Sequence, residues 1–149
     1  MLHIISVSPK EMPMDLLLEA DPSEKHVKAY LNDSLCYLAM KSDEPLGVCV
    51  LKEIEDSVLE LYNIAVWPGR QRQGIGTALL RHVLREARAK GFRRVELGTG
   101  TFGYQLAFYQ RVGFRVVDVV HDFFVDNYDE PIFEKGVQHK DMLRMALDL

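Results

Sequence analysis

Gln71-Arg72-Gln73-Gly74-Ile75-Gly76-Thr77 has the composition of a phosphate cradle. It follows an apolar stretch, Val58 to Val66, that reads as a strand, and it opens an amphipathic helix. A strand feeding a glycine-rich turn and then a helix presents several backbone N–H groups at the positive end of the helix dipole. That is a site for phosphate or pyrophosphate. Gly74 and Gly76 lack a Cβ, so a ligand can approach the backbone closely, and Arg70 and Arg72 add positive charge. The competing reading is a tight strand-to-helix connection without a ligand.

A second glycine pattern points elsewhere. Gly98-Thr99-Gly100-Thr101-Phe102-Gly103 matches the dinucleotide fingerprint, follows a strand and precedes a helix, and Asp118 stands about twenty residues on. The helix behind it is short, and only about fifty residues follow, too few for the rest of a dinucleotide fold. The better reading is a loop that opens the next helix. Other chemistries find little support. No G-x-S-x-G elbow and no Gly-Lys-Ser/Thr phosphate loop occurs. His3, His26, His82, His121 and His139 lack metal-ligand spacing, so no metal is expected and the histidines read as surface or structural.

The first pattern resembles a known family. Val66-x-Pro68-x-x-Gln71-x-x-Gly74-Ile75-Gly76-x-x-Leu79-Leu80 is similar to motif A of the GNAT N-acetyltransferases, and Leu106 to Phe114, with Phe108-Tyr109 and Gly113-Phe114, resembles their motif B. The tail, with Asp122-Phe123-Phe124 and Tyr128 to Ile132, is similar to a bacterial subgroup of unassigned substrate. The resemblance implies a GNAT fold of α/β (α+β) class. It has a mixed central sheet of about seven strands, an antiparallel N-terminal meander, two splayed parallel central strands and flanking helices. It also implies acetyl-CoA as co-substrate and an amine as acceptor. Gln71, Arg72, Gln73, Gly74, Ile75, Gly76 and Thr77 would then hold the pyrophosphate, and the backbone of Ile64, Ala65 and Val66 would align the pantetheine arm and the thioester. An Asn common in the family is replaced here by Phe102, which puts one cofactor contact in doubt.

Acetyl transfer to an amine requires a neutral nucleophile, and an alkylamine with a pKa near 10.4 is mostly charged at neutral pH, so a base helps. Glu60 matches a position where some family members keep a catalytic glutamate. Glu96 is a second candidate, one residue out of register. Tyr109 matches the motif B tyrosine that supplies a proton to the departing thiolate; the bland alternative is a core tyrosine. Acidic residues from Asp118 to Glu130 fit a cationic acceptor, or a merely solvated loop. A non-catalytic acyl-CoA-binding member of the fold and a dinucleotide-dependent oxidoreductase are the alternatives, and a homodimer is compatible with either enzyme reading.

These residues need a scaffold. The 149 residues, 48% hydrophobic, suffice for one domain with a core. A net charge of −4 argues against a nucleic-acid partner. Cys36 and Cys49 sit in apolar runs and read as reduced, buried thiols. The N-terminus lacks a signal-peptide pattern and no apolar run is long enough to span a membrane, so the expectation is a cytoplasmic protein. Strands are expected at Leu2–Val7, Cys36–Met40, Gly47–Ile54, Val58–Val66, Arg94–Leu97, Phe114–Phe124 and Val137–Leu147. Helices are expected from Met14 to about Glu19, up to Leu31 behind an Asp21 cap, and from Ile75 to Lys90 with Gly91 as the stop. In the fourth strand, strict alternation puts Val58, Glu60, Tyr62, Ile64 and Val66 on one face.

Overall fold

The computed structural model describes residues 1–149. It divides into two compact units, Met1–Arg93 with Leu149, and Arg94–Asp148.

The first unit holds strands β1 (His3–Val7), β2 (Leu35–Lys41), β3 (Glu44–Glu55) and β4 (Val58–Val66), with helices α1 (Met14–Leu17), α2 (Glu24–Leu31) and α3 (Ile75–Ala89). The strands pair antiparallel in the order β1-β2-β3-β4, which is the expected meander. Ser42 and Asp43, both at positive φ, close β2 onto β3 as a two-residue turn whose twist suits a hairpin. Both sheet faces are covered. Leu16, Leu17 and Val27 from α1 and α2 pack with Cys36, Leu38, Val48, Val50 and Ala65. On the other face α3 lays down Ile75, Leu79, Leu80, Val83, Leu84 and Ala87, while Arg81, Arg85 and Arg88 point to solvent. There the ring of His82 meets Tyr37 edge-on. Gly91, at φ 92, ends the helix as expected. Cys36 and Cys49 are free and buried, and burial pushes both thiols up.

One cap differs from expectation. Ser23, not Asp21, caps α2, its hydroxyl accepting from His26 N–H at 3.2 Å. Asp21 is engaged elsewhere: its carboxylate accepts from Ser23 N–H and from the Tyr30 hydroxyl.

The second unit holds β5 (Arg94–Gly100), α4 (Tyr104–Val112), β6 (Arg115–Val120), α5 (Phe123–Asn127), β7 (Ile132–Glu134), β8 (Val137–His139) and β9 (Met142–Asp148). The last strand lies between the other two long ones and pairs antiparallel with each. Together with the four strands of the first unit this gives seven, besides the small β7–β8 hairpin. The long strand expected to Phe124 stops at Val120. Asp122 takes a left-handed conformation (φ 58), its N–H bonds the Asp141 carboxylate, and its carbonyl starts a short helix by accepting from Asp126 N–H. The strand expected from Val137 to Leu147 breaks in two at Lys140–Asp141, because Lys140 uses its carbonyl on Phe124 N–H instead of on a ladder. No helix is long and apolar enough to cross a membrane.

Candidate active site

The middle of β4 departs from regular pairing. Asn63 pairs with Val50 and Leu61 with Leu51, which leaves Tyr62 as an extra residue, a β-bulge. The insertion resets the alternation. Glu60 pairs with Lys52, two residues from Val50, so it shares a face with Val50 and Asn63 and not with Ile64 and Val66, as strict alternation had it. The bulge also anchors the helices before it. Tyr62 stacks on Tyr30 with ring centroids 4.9 Å apart and planes at 10°. The Asn63 amide donates at 2.9 Å to the carbonyl of Leu17 and at 2.9 Å to the Tyr30 hydroxyl. The hydroxyl in turn donates to Asp21. One bulge thus fastens α1 and α2 to the strand that feeds the glycine turn. Sequence reading missed this network; its only trace was polar Asn63 within an apolar strand.

Past Val66 the chain is pinned and then released. Trp67 N–H bonds the carbonyl of Leu46 and its indole bonds that of Pro45. A single 3-10 turn, Pro68–Arg70, follows. The Gln71 side chain reaches back to the Val66 carbonyl at 3.3 Å, closing the loop rather than facing outward. Arg72 (φ 66) and Gly74 (φ 78) both take left-handed conformations, and α3 begins at Ile75. The first hydrogen bond of the helix runs from Ala78 N–H to the Gly74 carbonyl, so the N–H groups of Ile75, Gly76 and Thr77 have no partner within the helix. Ile75 is buried and anchors the turn, whereas Gln71, Arg72, Gln73 and Gly74 are exposed. A Cβ placed on Gly74 would meet nothing within 4 Å. No acidic residue stands in the first turn of α3 to compete for those donors. Exposed Arg72, Gln73 and Gly74 thus stand beside the three helix-start N–H groups, an arrangement suited to an anion.

In the second unit Tyr109 lies on α4, 7% exposed, its ring edge-on to Phe114 and tilted against Phe108. Glu96 is occupied. Arg94 Nε donates to its Oε2 at 2.8 Å and Arg144 to its Oε1 at 3.4 Å, while Arg94 also holds Asp148 at 3.0 Å. The hydrogen bond from Arg94 and the positive charge of both arginines hold the Glu96 carboxyl below the usual carboxylate range. A carboxylate so stabilised in its charged form is a poor base.

The dinucleotide-like pattern resolves into packing. A Cβ on Gly98 would collide with the Met142 thioether, one on Gly100 with the His139 ring, and one on Gly103 with the Glu134 carboxylate. The space a phosphate would need is filled by side chains of the same unit. His139 is a structural histidine: it stacks on Phe102 at 4.0 Å and bonds Glu134 through Nε2 at 2.9 Å. No group of three or more His, Cys, Asp or Glu is arranged to hold a metal.

Residues 6–114 match the model of the acetyltransferase (GNAT) family. The chain is 44% identical over 136 residues to the uncharacterized N-acetyltransferase YvbK of Bacillus subtilis (strain 168), covering 91% of this chain and 88% of that protein. Among solved structures it is similar to an IAA acetyltransferase from Bacillus cereus ATCC 14579, with 39% identity and a TM-score of 0.96 over 100% of both chains. It is also similar to a GNAT family acetyltransferase from Elizabethkingia anophelis with acetyl-CoA bound, with 39% identity and a TM-score of 0.94, covering 99% of this chain and 98% of that one. The family match and these relatives agree: the chain belongs to the acetyltransferase (GNAT) family and is an acetyl-CoA-dependent N-acetyltransferase.

Proposed function

We propose that this enzyme moves the acetyl group of acetyl-CoA to a primary amine, on a small molecule or a protein, by direct attack. The observation that carries the reading is the nest at residues 71–77, with left-handed Arg72 and Gly74 and three helix N–H groups turned outward. Its backbone donors and the two arginines hold the pyrophosphate, and the backbone of Ile64, Ala65 and Val66 aligns the pantetheine arm and the thioester. Glu60 takes the proton from the acceptor ammonium, directly or through water. The neutral nitrogen then attacks the carbonyl carbon, a C–N bond forms, the nitrogen gives up its surplus proton to water, and the C–S bond breaks as the carbonyl re-forms. The Tyr109 hydroxyl gives its proton to the departing thiolate. The exposed acids Asp118, Asp122, Asp126, Asp129 and Glu130 favour an acceptor with positive charge.

The test is a panel of primary amines with acetyl-CoA, read as free thiol released, run on the wild type and on Glu60→Gln across pH. Thiol release that depends on the amine is expected. Glu60→Gln should lose most rate near neutral pH and recover partly as pH rises, since more of the amine then arrives neutral. Binding of acetyl-CoA without release to any amine would overturn the reading, and a Glu60→Gln profile that overlays the wild type would remove Glu60 as the base.

A further inference from the structure

The helix that carries Tyr109 is met at its start by a side chain from elsewhere in the second unit. Gly103, at φ 105, precedes the first residue of α4, and a Cβ there would lie 2.7 Å from one carboxylate oxygen of Glu134 and 2.9 Å from the other. The carboxylate is therefore packed against the Gly103 backbone at the head of the helix, where negative charge is favoured, without a capping hydrogen bond to it. It does not sit there by chance of rotamer. His139 Nε2 bonds Glu134 Oε1 at 2.9 Å across the β7–β8 hairpin, and the His139 ring lies flat on Phe102 at 4.0 Å with planes 3° apart. Phe102 is the residue next to Gly103. His139 itself is 8% exposed, and its edge is fitted to Gly100. A carboxylate, an imidazole and a phenyl ring thus form a clasp around the loop that launches α4.

We propose that Glu134, fixed in place by His139, is a positioning residue for the proton donor Tyr109. By packing against Gly103, which launches α4, it sets where the hydroxyl of Tyr109, in the second turn, points. This rests on the reading of Tyr109 as the acid. Glu134 need not touch substrate; its effect runs through the helix, and a displacement of about 1 Å at a reacting group can cost roughly 100-fold in rate.

A double-mutant cycle on the full chain tests it. Glu134→Ala should lower kcat roughly 10- to 100-fold and leave the KM for acetyl-CoA and for the amine within about 2-fold. Glu134→Gln keeps the shape and an acceptor for His139 Nε2, so it should restore most of the rate. In a Tyr109→Phe background Glu134→Ala should cost nothing further, because the hydroxyl it orients is gone. His139→Leu, which fills the same crevice without the N–H, should reproduce the kcat loss and serves if Glu134→Ala is poorly folded. Wild-type kcat in folded Glu134→Ala and His139→Leu proteins would overturn the inference. So would a Glu134→Ala loss that multiplies in full with that of Tyr109→Phe. A Tyr109→Phe enzyme with wild-type turnover would instead remove the acid assignment, and the inference along with it.

Discussion

Gly74 in the first unit lies between a strand and a helix and Gly100 in the second ends a strand that a helix follows, yet a Cβ at Gly74 would meet no atom within 4 Å and one at Gly100 would run into the His139 ring. Gly74 is at φ 78, a conformation that few residues with side chains adopt, and it leaves open space beside three unpaired helix donors. Gly100 has no such dihedral; it is small because an aromatic ring occupies the place of its side chain. Glycine at a strand-to-helix turn therefore has two distinct causes, room for a ligand and room for a neighbour. A spacing pattern in sequence cannot separate them, whereas the occupancy of the missing Cβ can.

The largest effect should come from Gly76→Val, on the open turn. A branched side chain there would fill the approach to the backbone donors. Hydrogen bonds to a charged group are worth about 1.5–3 kcal/mol each, so losing one or two weakens CoA binding by roughly 10- to 10,000-fold. Titration calorimetry with CoA on a folded Gly76→Val protein measures this. An unchanged dissociation constant would mean that the open turn is no more a ligand site than the filled one.

A smaller effect, with the opposite signature, is expected on the filled turn. Gly100→Ala should destabilise the protein by about 1–3 kcal/mol, the usual range for overpacking, while CoA still raises its melting temperature. Gly74→Asn is the paired control. Asn tolerates the left-handed conformation and its Cβ would meet nothing, so stability should stay within about 0.5 kcal/mol of wild type. Equal destabilisation by the two substitutions would erase the distinction between the turns.

The same contrast explains how much could be read without coordinates. The buried stripe of α3 and its Gly91 stop depend on residues close in sequence, and both stand where periodicity and turn chemistry put them. What stayed hidden depends on distant partners. The bulge at Tyr62 is a property of pairing with β3, and nothing in the local residues marks it. Asn63 meets Leu17 from 46 positions away. The early end of β6 follows from an N–H that finds Asp141, 19 positions on. Asp21 looked like a cap because the competing claim of Tyr30 on its carboxylate is likewise non-local.

The least effect should be seen at Glu96, a strand glutamate whose surroundings differ from those of Glu60 in the first unit. Glu60 pairs across its ladder with Lys52, whereas Glu96 is held by Arg94 and Arg144 together. The hydrogen bond from Arg94, then the charges of both arginines, lower the Glu96 pKa in the folded state. Its unfolded value is about 4.3. A depressed folded pKa means that the unfolded chain binds the proton first as pH falls. The stabilisation is thus fully present above about pH 4.3 and fades as pH drops through the lower folded value. Glu96→Gln removes the charge and should cost under about 1 kcal/mol at pH 7, since these groups are only partly buried. The gap between variant and wild type should then shrink as the medium is acidified below about pH 4. Urea unfolding of both proteins at pH 7, 5, 4 and 3 measures it. A gap that persists undiminished at pH 3 would show that Glu96 acts through packing and not through its charge. A turnover loss at pH 7 out of proportion to the lost stability would return Glu96 to the candidates for the base.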